Sequence, residues 1–295
     1  MIGSAAVADR PTRRGAAEGT EHGRKRQSGP SLGKHAVMAW FNLLGREACR
    51  WTGLGLDLLC PPHCVFCGSE AVDQETGDGV LPGPGTPVVC ATCAAALSHD
   101  VPRCPACGEP DMGGACRHCP GEARDWDGML VLASYADEVR DAVILAKRPG
   151  GEARAAGLAA LLVRKHAATF AEWRIDVVSP VPMHWMRRAA RGTSAADELA
   201  RGVAAGLRLP YRRLLRRRRA TPMQNELPFA ARRGNVRDAF RAAGRAAGRR
   251  VLIVDDVTTT GATLAECRRA LVAAGAAAVF AAAVARADRG AGSPS

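Results

Sequence analysis

Two adjacent carboxylates, Asp255 and Asp256, stand between four aliphatic residues, Val251 to Val254, and the run Thr258, Thr259, Thr260, Gly261, Ala262 and Thr263. A turn rich in hydroxyls that opens a helix offers an anion its backbone N–H groups, its hydroxyls and the positive end of the helix dipole. A glycine in such a turn lets the backbone approach a phosphate closely. Carboxylates repel phosphate, so Asp255 and Asp256 serve another part of the ligand: ribose hydroxyls, or a Mg²⁺ ion reached through them. A ligand with a sugar diol beside a phosphate satisfies both halves. The alternative is an ordinary strand, turn and helix whose acids merely cap the helix.

The second chemical signal is thiolate. Cys64-Val-Phe-Cys67, Cys90-Ala-Thr-Cys93, Cys104-Pro-Ala-Cys107 and Cys116-Arg-His-Cys119 are four CxxC knuckles. Each presents two sulfurs to one ion, and two knuckles complete a tetrahedral site with no position left for water, which makes the expected zinc structural. Sequential pairing gives one ion to Cys64, Cys67, Cys90 and Cys93 and a second to Cys104, Cys107, Cys116 and Cys119; crossed pairing is the alternative. Gly68 and Gly108 follow the second cysteine of their knuckles, where a tight turn favours glycine. Cys60, His63 and His118 are adjacent spares. A thioredoxin-like role is disfavoured because no βαβ pattern surrounds the knuckles.

Elements must position these groups. Val251 to Val254 suits a strand buried on both faces of a parallel sheet, and places the acids where that strand ends, outside the carboxyl edge where open α/β sheets bind ligands. Leu264, Cys267 and Leu271 follow at helical spacing. Elsewhere, Met129 to Ala133, Ile175 to Val178 and Val279 to Val284 read as strands, and Asp137 to Ala146, Ala153 to Ala168 and Asp197 to Leu207 as helices. Strands alternating with helices predict an α/β fold with a mainly parallel sheet flanked by helices. Residues 220–233 lack periodicity and read as a loop.

The 295 residues accommodate one sizeable α/β domain and a smaller module. Residues 1–37 read as a disordered tail, with Met38 a candidate start that N-terminal sequencing of the native protein would test. Residues 38–59 read as a docking helix, in which Cys49 is a small apolar residue. Residues 60–124 form a cysteine-rich double zinc ribbon, 125–289 the α/β domain, and 290–295 a tail. No apolar run approaches the roughly 20 residues of a membrane span, and the basic, polar N-terminus lacks the apolar stretch of a secretory signal, so a cytoplasmic location is expected. That also sets the eleven cysteines against disulfides and toward metal. The net charge of +12 is concentrated in Arg212, Arg213 and Arg216 to Arg219, a solvated face or a loop that meets a polyanion. Aromatic residues are only 4%, so any contact with single-stranded DNA would be phosphate-directed.

The run from Val251 to Thr263 resembles the 5-phosphoribosyl-1-pyrophosphate (PRPP) signature of the type I phosphoribosyltransferases. Over roughly residues 40–287 the chain resembles the ComF family, whose members join a cysteine-rich zinc ribbon to a phosphoribosyltransferase-like domain, some being linked to competence and inward DNA transport. The shared features are Cys60-Pro-Pro-His-Cys64, the four knuckles, Lys147, Pro180-Val-Pro182, Arg191-Gly192 and the acidic loop, with Thr221, Gln224, Leu227, Arg233 and Asn235 between them. The resemblance implies PRPP binding with Mg²⁺ by Asp255, Asp256 and residues 258–263. It implies pyrophosphate contacts from Lys147, Arg188 and Arg191, and a closing loop carrying Gln224, Arg233 and Asn235. Implied activities are phosphoribosyl transfer to an unknown acceptor, or PRPP or nucleotide sensing by a module whose ribbons and arginines meet single-stranded DNA or a DNA-uptake helicase or channel protein.

Two departures from the family pattern concern the acceptor pocket. Arg191-Gly192-Thr193-Ser194-Ala195 replaces Arg-Gly-Phe-Asn-Gln, and Arg148-Pro149 replaces the aromatic after the lysine. Thr259 stands where purine-salvage relatives place an acid, which argues against purine salvage and leaves no general base identifiable.

Overall fold

The computed structural model describes residues 63–70, 87–111, 116, 119, 127–183, 194–218, 238–242 and 244–288. All lie in one compact unit, Gly53–Ser295. The strands are β1 (Met129–Ser134), β2 (Val177–Pro180), β3 (Leu215–Arg217), β4 (Phe240–Ala242), β5 (Arg250–Thr258) and β6 (Ala278–Arg286). The helices are α1 (Ala91–Leu97), α2 (Asp137–Ala146), α3 (Glu152–Lys165), α4 (Ala167–Glu172), α5 (Ala195–Gly206) and α6 (Ala262–Ala273). Four strands form a wholly parallel sheet in the order β1-β6-β5-β2, and β3 pairs antiparallel with β4 in a separate ribbon.

Alternation along each strand sends side chains to opposite faces. Leu132, Val178, Leu252, Val254, Phe280 and Ala282 face a core closed by α1 to α5, while Val131, Val177, Val251, Ile253, Val279 and Ala281 face one closed by α6 and the β3–β4 ribbon. Burial on both faces is why β5 and β6 carry nearly continuous apolar runs. Alanine substitutes for aromatic bulk by close approach: a Cβ on Gly202 in α5 would lie 2.7 Å from that of Ala159 in α3.

The α/β class with helices on a parallel sheet is the expected one, and the differences are local. β5 does not stop before its acids but continues through Asp255 and Asp256 to Thr258, because β6 extends alongside it and pairs Ala283 with Asp255 and Arg286 with Thr258. The helix read over 153–168 breaks at His166 into α3 and α4. The second knuckle pair opens α1, whose N-cap Cys90 accepts from the Cys93 N–H through its sulfur. Part of the arginine run is β3. Residues 1–62 and 289–295, with the expected tails and docking helix, lie outside the described residues, as does the loop over 220–233.

Candidate functional site

Asp255 and Asp256 project from β5 at the carboxyl edge of the sheet, directly before the turn that opens α6. The Asp256 N–H donates to Asp255 Oδ1 at 2.9 Å. Lys147 Nζ pairs with Asp256 Oδ1 at 3.2 Å, so the lysine singled out 108 positions upstream does reach the acids. Its place depends on a tight turn between α2 and α3: Gly150 has φ 79°, and a Cβ on Gly151 would lie 2.6 Å from the Leu145 and Ala146 carbonyl oxygens. Burial, and then the Asp256 carboxylate, push Asp255 up to about 8, against the pull of the Asp256 N–H, Lys147 and Arg217. The shift favours a proton on Asp255, and a protonated Asp255 can donate as well as accept a hydrogen bond.

Neither acid caps α6. Its N-cap is Gly261 at φ 76°, ψ −1°, with no side-chain cap, and a Cβ there would meet nothing within 4 Å. The positive φ calls for glycine, and the space over it is open to an anion at the dipole's positive end. Thr260 Oγ1 accepts from the Ala262 N–H at 3.2 Å, the Gly261 carbonyl accepts from Ala265 at 2.8 Å, and buried Thr258 accepts at its carbonyl from Ala287 at 2.9 Å. Leu264, Cys267 and Leu271 bury the helix's inner face. The end of β5, two carboxyls, a lysine and a helix start with open space over its N-cap glycine thus share one edge.

The eight knuckle cysteines gather as Cys64, Cys67, Cys90 and Cys93, and as Cys104, Cys107, Cys116 and Cys119, with ligand atoms in each set within 4.8 Å of one another. His63 belongs to neither set. Sulfur separations are 3.7 Å for Cys67–Cys90 and 3.6 Å for Cys104–Cys119 and Cys107–Cys116. Four thiolates about 2.3 Å from a zinc ion have tetrahedral edges of about 3.8 Å, whereas a disulfide needs about 2.05 Å, so both sets fit zinc. Burial, reinforced by neighbouring thiols, pushes Cys93 and Cys119 well up, and Cys107 up to about 11. A dication relieves that crowding by holding the sulfurs as thiolates.

The described part of the arginine run is largely exposed, and two of its members are also engaged by the fold. Arg213 Nε donates to Asp197 Oδ1 at 3.0 Å, its terminal nitrogen pairs with Oδ2, and Tyr211 donates its hydroxyl to Oδ1 at 2.6 Å. Asp197 is buried in the first turn of α5, so this arginine is structural. Arg217 lies 5.4 Å over the Phe240 ring. Arg212, Arg213, Arg216 and Arg218 are exposed. A buried pair that sequence reasoning missed joins Arg286 to Glu109 at 2.6 Å. Arg188, Arg191, Gln224, Arg233 and Asn235 lie outside the described residues, as do Cys60 and His118.

No helix among the described residues is long and apolar enough to cross a membrane. Residues 150–294 match the phosphoribosyl transferase domain family. The chain is 31% identical over 197 residues to the DNA utilization protein YhgH of Escherichia coli K12, covering 65% of this chain and 87% of that one. It is 28% identical over 218 residues to Competence protein F of Haemophilus influenzae, covering 71% and 90%. The solved glutamine PRPP amidotransferase from B. subtilis is 25% identical, over 48% of this chain and 30% of that one, at a TM-score of 0.34, too low for a fold inference. With a phosphoribosyl transferase domain behind paired cysteine tetrads, and with relatives matched over most of their length, the chain belongs to the ComF family.

Proposed function

We propose that the carboxyl edge of β5 binds PRPP. The 5-phosphate would lie over Gly261 at the start of α6, held by Thr258, Thr259, Thr260, Ala262 and Thr263, and the ribose diol would meet Asp255 and Asp256. The observation that carries this reading is the adjacency of the Asp255–Asp256 pair, with Lys147 on Asp256 at 3.2 Å, to a helix start whose N-cap glycine has open space over it. Two neighbouring carboxyls also supply the oxygen donors that Mg²⁺ prefers, and bound with PRPP the ion would neutralise pyrophosphate charge. Lys147 is the described cation nearest to that role, and Arg188, Arg191, Gln224, Arg233 and Asn235 are the further candidates. The two cysteine tetrads would each hold one structural zinc.

In the catalytic form of the reading, an acceptor nucleophile bonds to the anomeric carbon as the bond to pyrophosphate breaks. This chain's share is to position the reactants and stabilise charge. The relatives' names, DNA utilization protein and Competence protein F, support a role for that activity in DNA uptake or DNA metabolism. The second reading is a PRPP- or nucleotide-sensing module whose ribbons and exposed arginines meet single-stranded DNA or a competence-machinery partner. It is favoured by Thr259, which leaves the site without a general base, and by Arg212, Arg216 and Arg218 remaining exposed. Pyrophosphate release from Mg-PRPP, screened with nucleobases, amines and single-stranded DNA as acceptors, separates the two. Acceptor-dependent release establishes a transferase; tight binding without release establishes the sensor.

A further inference from the structure

Arg286 is the single charged residue of β6, a strand buried along all nine positions, and it ends that strand between the ligand loop and β1. It pairs in register with Thr258 of β5 and Ser134 of β1. Its carbonyl accepts from the Tyr135 N–H at 2.6 Å, and the next N–H, from Ala287, donates to Thr258. Whatever holds Arg286 therefore also holds the start of the phosphate loop. The holder is Glu109, fully buried and two positions beyond Cys107. Arg286 Nε has no hydrogen-bond partner among the described residues, so the Glu109 carboxylate is the counter-charge that lets this guanidinium stay buried.

A second tie runs beside it. Arg103, next to Cys104, pairs with Asp288 at 3.0 Å and donates to Ser134 Oγ at 2.7 Å and to the Gly108 carbonyl at 2.8 Å. Within the knuckle, the Cys104 N–H donates to the Glu109 carbonyl at 2.9 Å and Gly108 to the Cys104 carbonyl at 2.8 Å. A Cβ on Gly108 would lie 2.7 Å from a Val131 methyl, which shows how closely the knuckle is pressed onto β1. The geometry of Cys104 to Glu109, which a tetrahedral metal would fix, thus sets where both ion pairs meet the sheet edge.

We infer that the Cys104–Cys107 knuckle is a positioning element of the phosphate loop: held by the Cys104, Cys107, Cys116, Cys119 set, it fixes Glu109 and Arg103 on Arg286 and Asp288, and through them Thr258. The inference rests on the reading above only in calling this loop the ligand site. Loss of the Glu109 charge leaves Arg286 an uncompensated buried cation, and loss of the metal set releases the knuckle that holds Glu109 against it; in both cases the end of β6 must open to water.

The test is hydrogen exchange on the full zinc-loaded chain without ligand, for wild type, Glu109→Gln, Cys116→Ser and the double variant Glu109→Leu with Arg286→Met. Glu109→Gln and Cys116→Ser speed exchange in residues 255–264 by tenfold or more while α5 stays at the wild-type rate. The apolar double variant returns to within about threefold of wild type, because it removes the stranded charge. Should Cys116→Ser fail to fold, Glu109→Gln decides. Wild-type exchange of the loop in Glu109→Gln overturns the inference, as does an increase of equal size in α5, which would mean general loosening. Calorimetry with Mg-PRPP on the same samples separates the two ideas. Coupled exchange without PRPP binding in wild type removes the ligand reading and leaves the coupling standing; binding unaffected by Glu109→Gln with unchanged exchange does the reverse.

Discussion

Asp255→Asn should stabilise this protein in the absence of ligand, and the pH dependence of the gain identifies its cause. The Asp255 carboxyl is pushed up to about 8 in the folded chain, whereas an unfolded aspartate titrates near 3.9. Between these values the native state keeps a proton that the unfolded state has lost, so stability falls as pH rises from about 4 to about 8. The slope is at most about 1.36 kcal/mol per pH unit, which sets a ceiling of about 4 kcal/mol by pH 7. Asp255 shares the penalty with Asp256 and is not wholly shut off from solvent, so about 1–2 kcal/mol is the working expectation. Asparagine keeps the Oδ1 that accepts from the Asp256 N–H and cannot ionise. Urea unfolding followed by circular dichroism, at pH 5 to 8.5 with zinc saturating, should show the variant more stable at pH 7.5 and the gap closing toward pH 5. A gap independent of pH, or a variant less stable at pH 7.5, would refute the reasoning.

Three further outcomes follow from the same geometry. Metal analysis of native protein should find about two zinc ions per chain, one for each tetrad, and a strong chelator should lower the melting temperature; one ion or none contradicts the paired-tetrad reading. Asp197→Ala strands Arg213 and Tyr211 and should cost about 1–3 kcal/mol in denaturant unfolding, with Asp197→Asn costing less. Gly261→Ala meets no steric obstacle but must hold φ 76°, so it should cost about 1–2 kcal/mol. The same substitution should weaken Mg-PRPP at least tenfold by filling the space over the loop; unchanged affinity would move the phosphate elsewhere.

What could be read from the chain was what local order encodes. The phosphate loop and its helix are contiguous, so Asp255 to Thr263 declare themselves by type and spacing, and the cysteine knuckles do so by repetition. Lys147 was found only through resemblance; its contact with Asp256 is made by folding. The extent of β5 through its acids depends on how far β6 runs beside it, which no property of residues 251–258 reveals. The Glu109–Arg286 pair spans 177 positions, and its only sequence trace is a charged residue ending an otherwise apolar strand. Arg213 is exposed as its run suggests, but its pairing with buried Asp197 has no sequence signal, since Asp197 reads as an ordinary first-turn acid.

The central claim is that the edge formed by Asp255, Asp256 and the start of α6 binds PRPP with Mg²⁺. Calorimetric titration of PRPP, with and without Mg²⁺, against wild type and the Asp255→Asn, Asp256→Asn double variant tests it most directly. The account predicts Mg-dependent binding to wild type and none to a double variant whose circular dichroism is unchanged. No binding to well-folded wild type, or equal binding to the double variant, would contradict it.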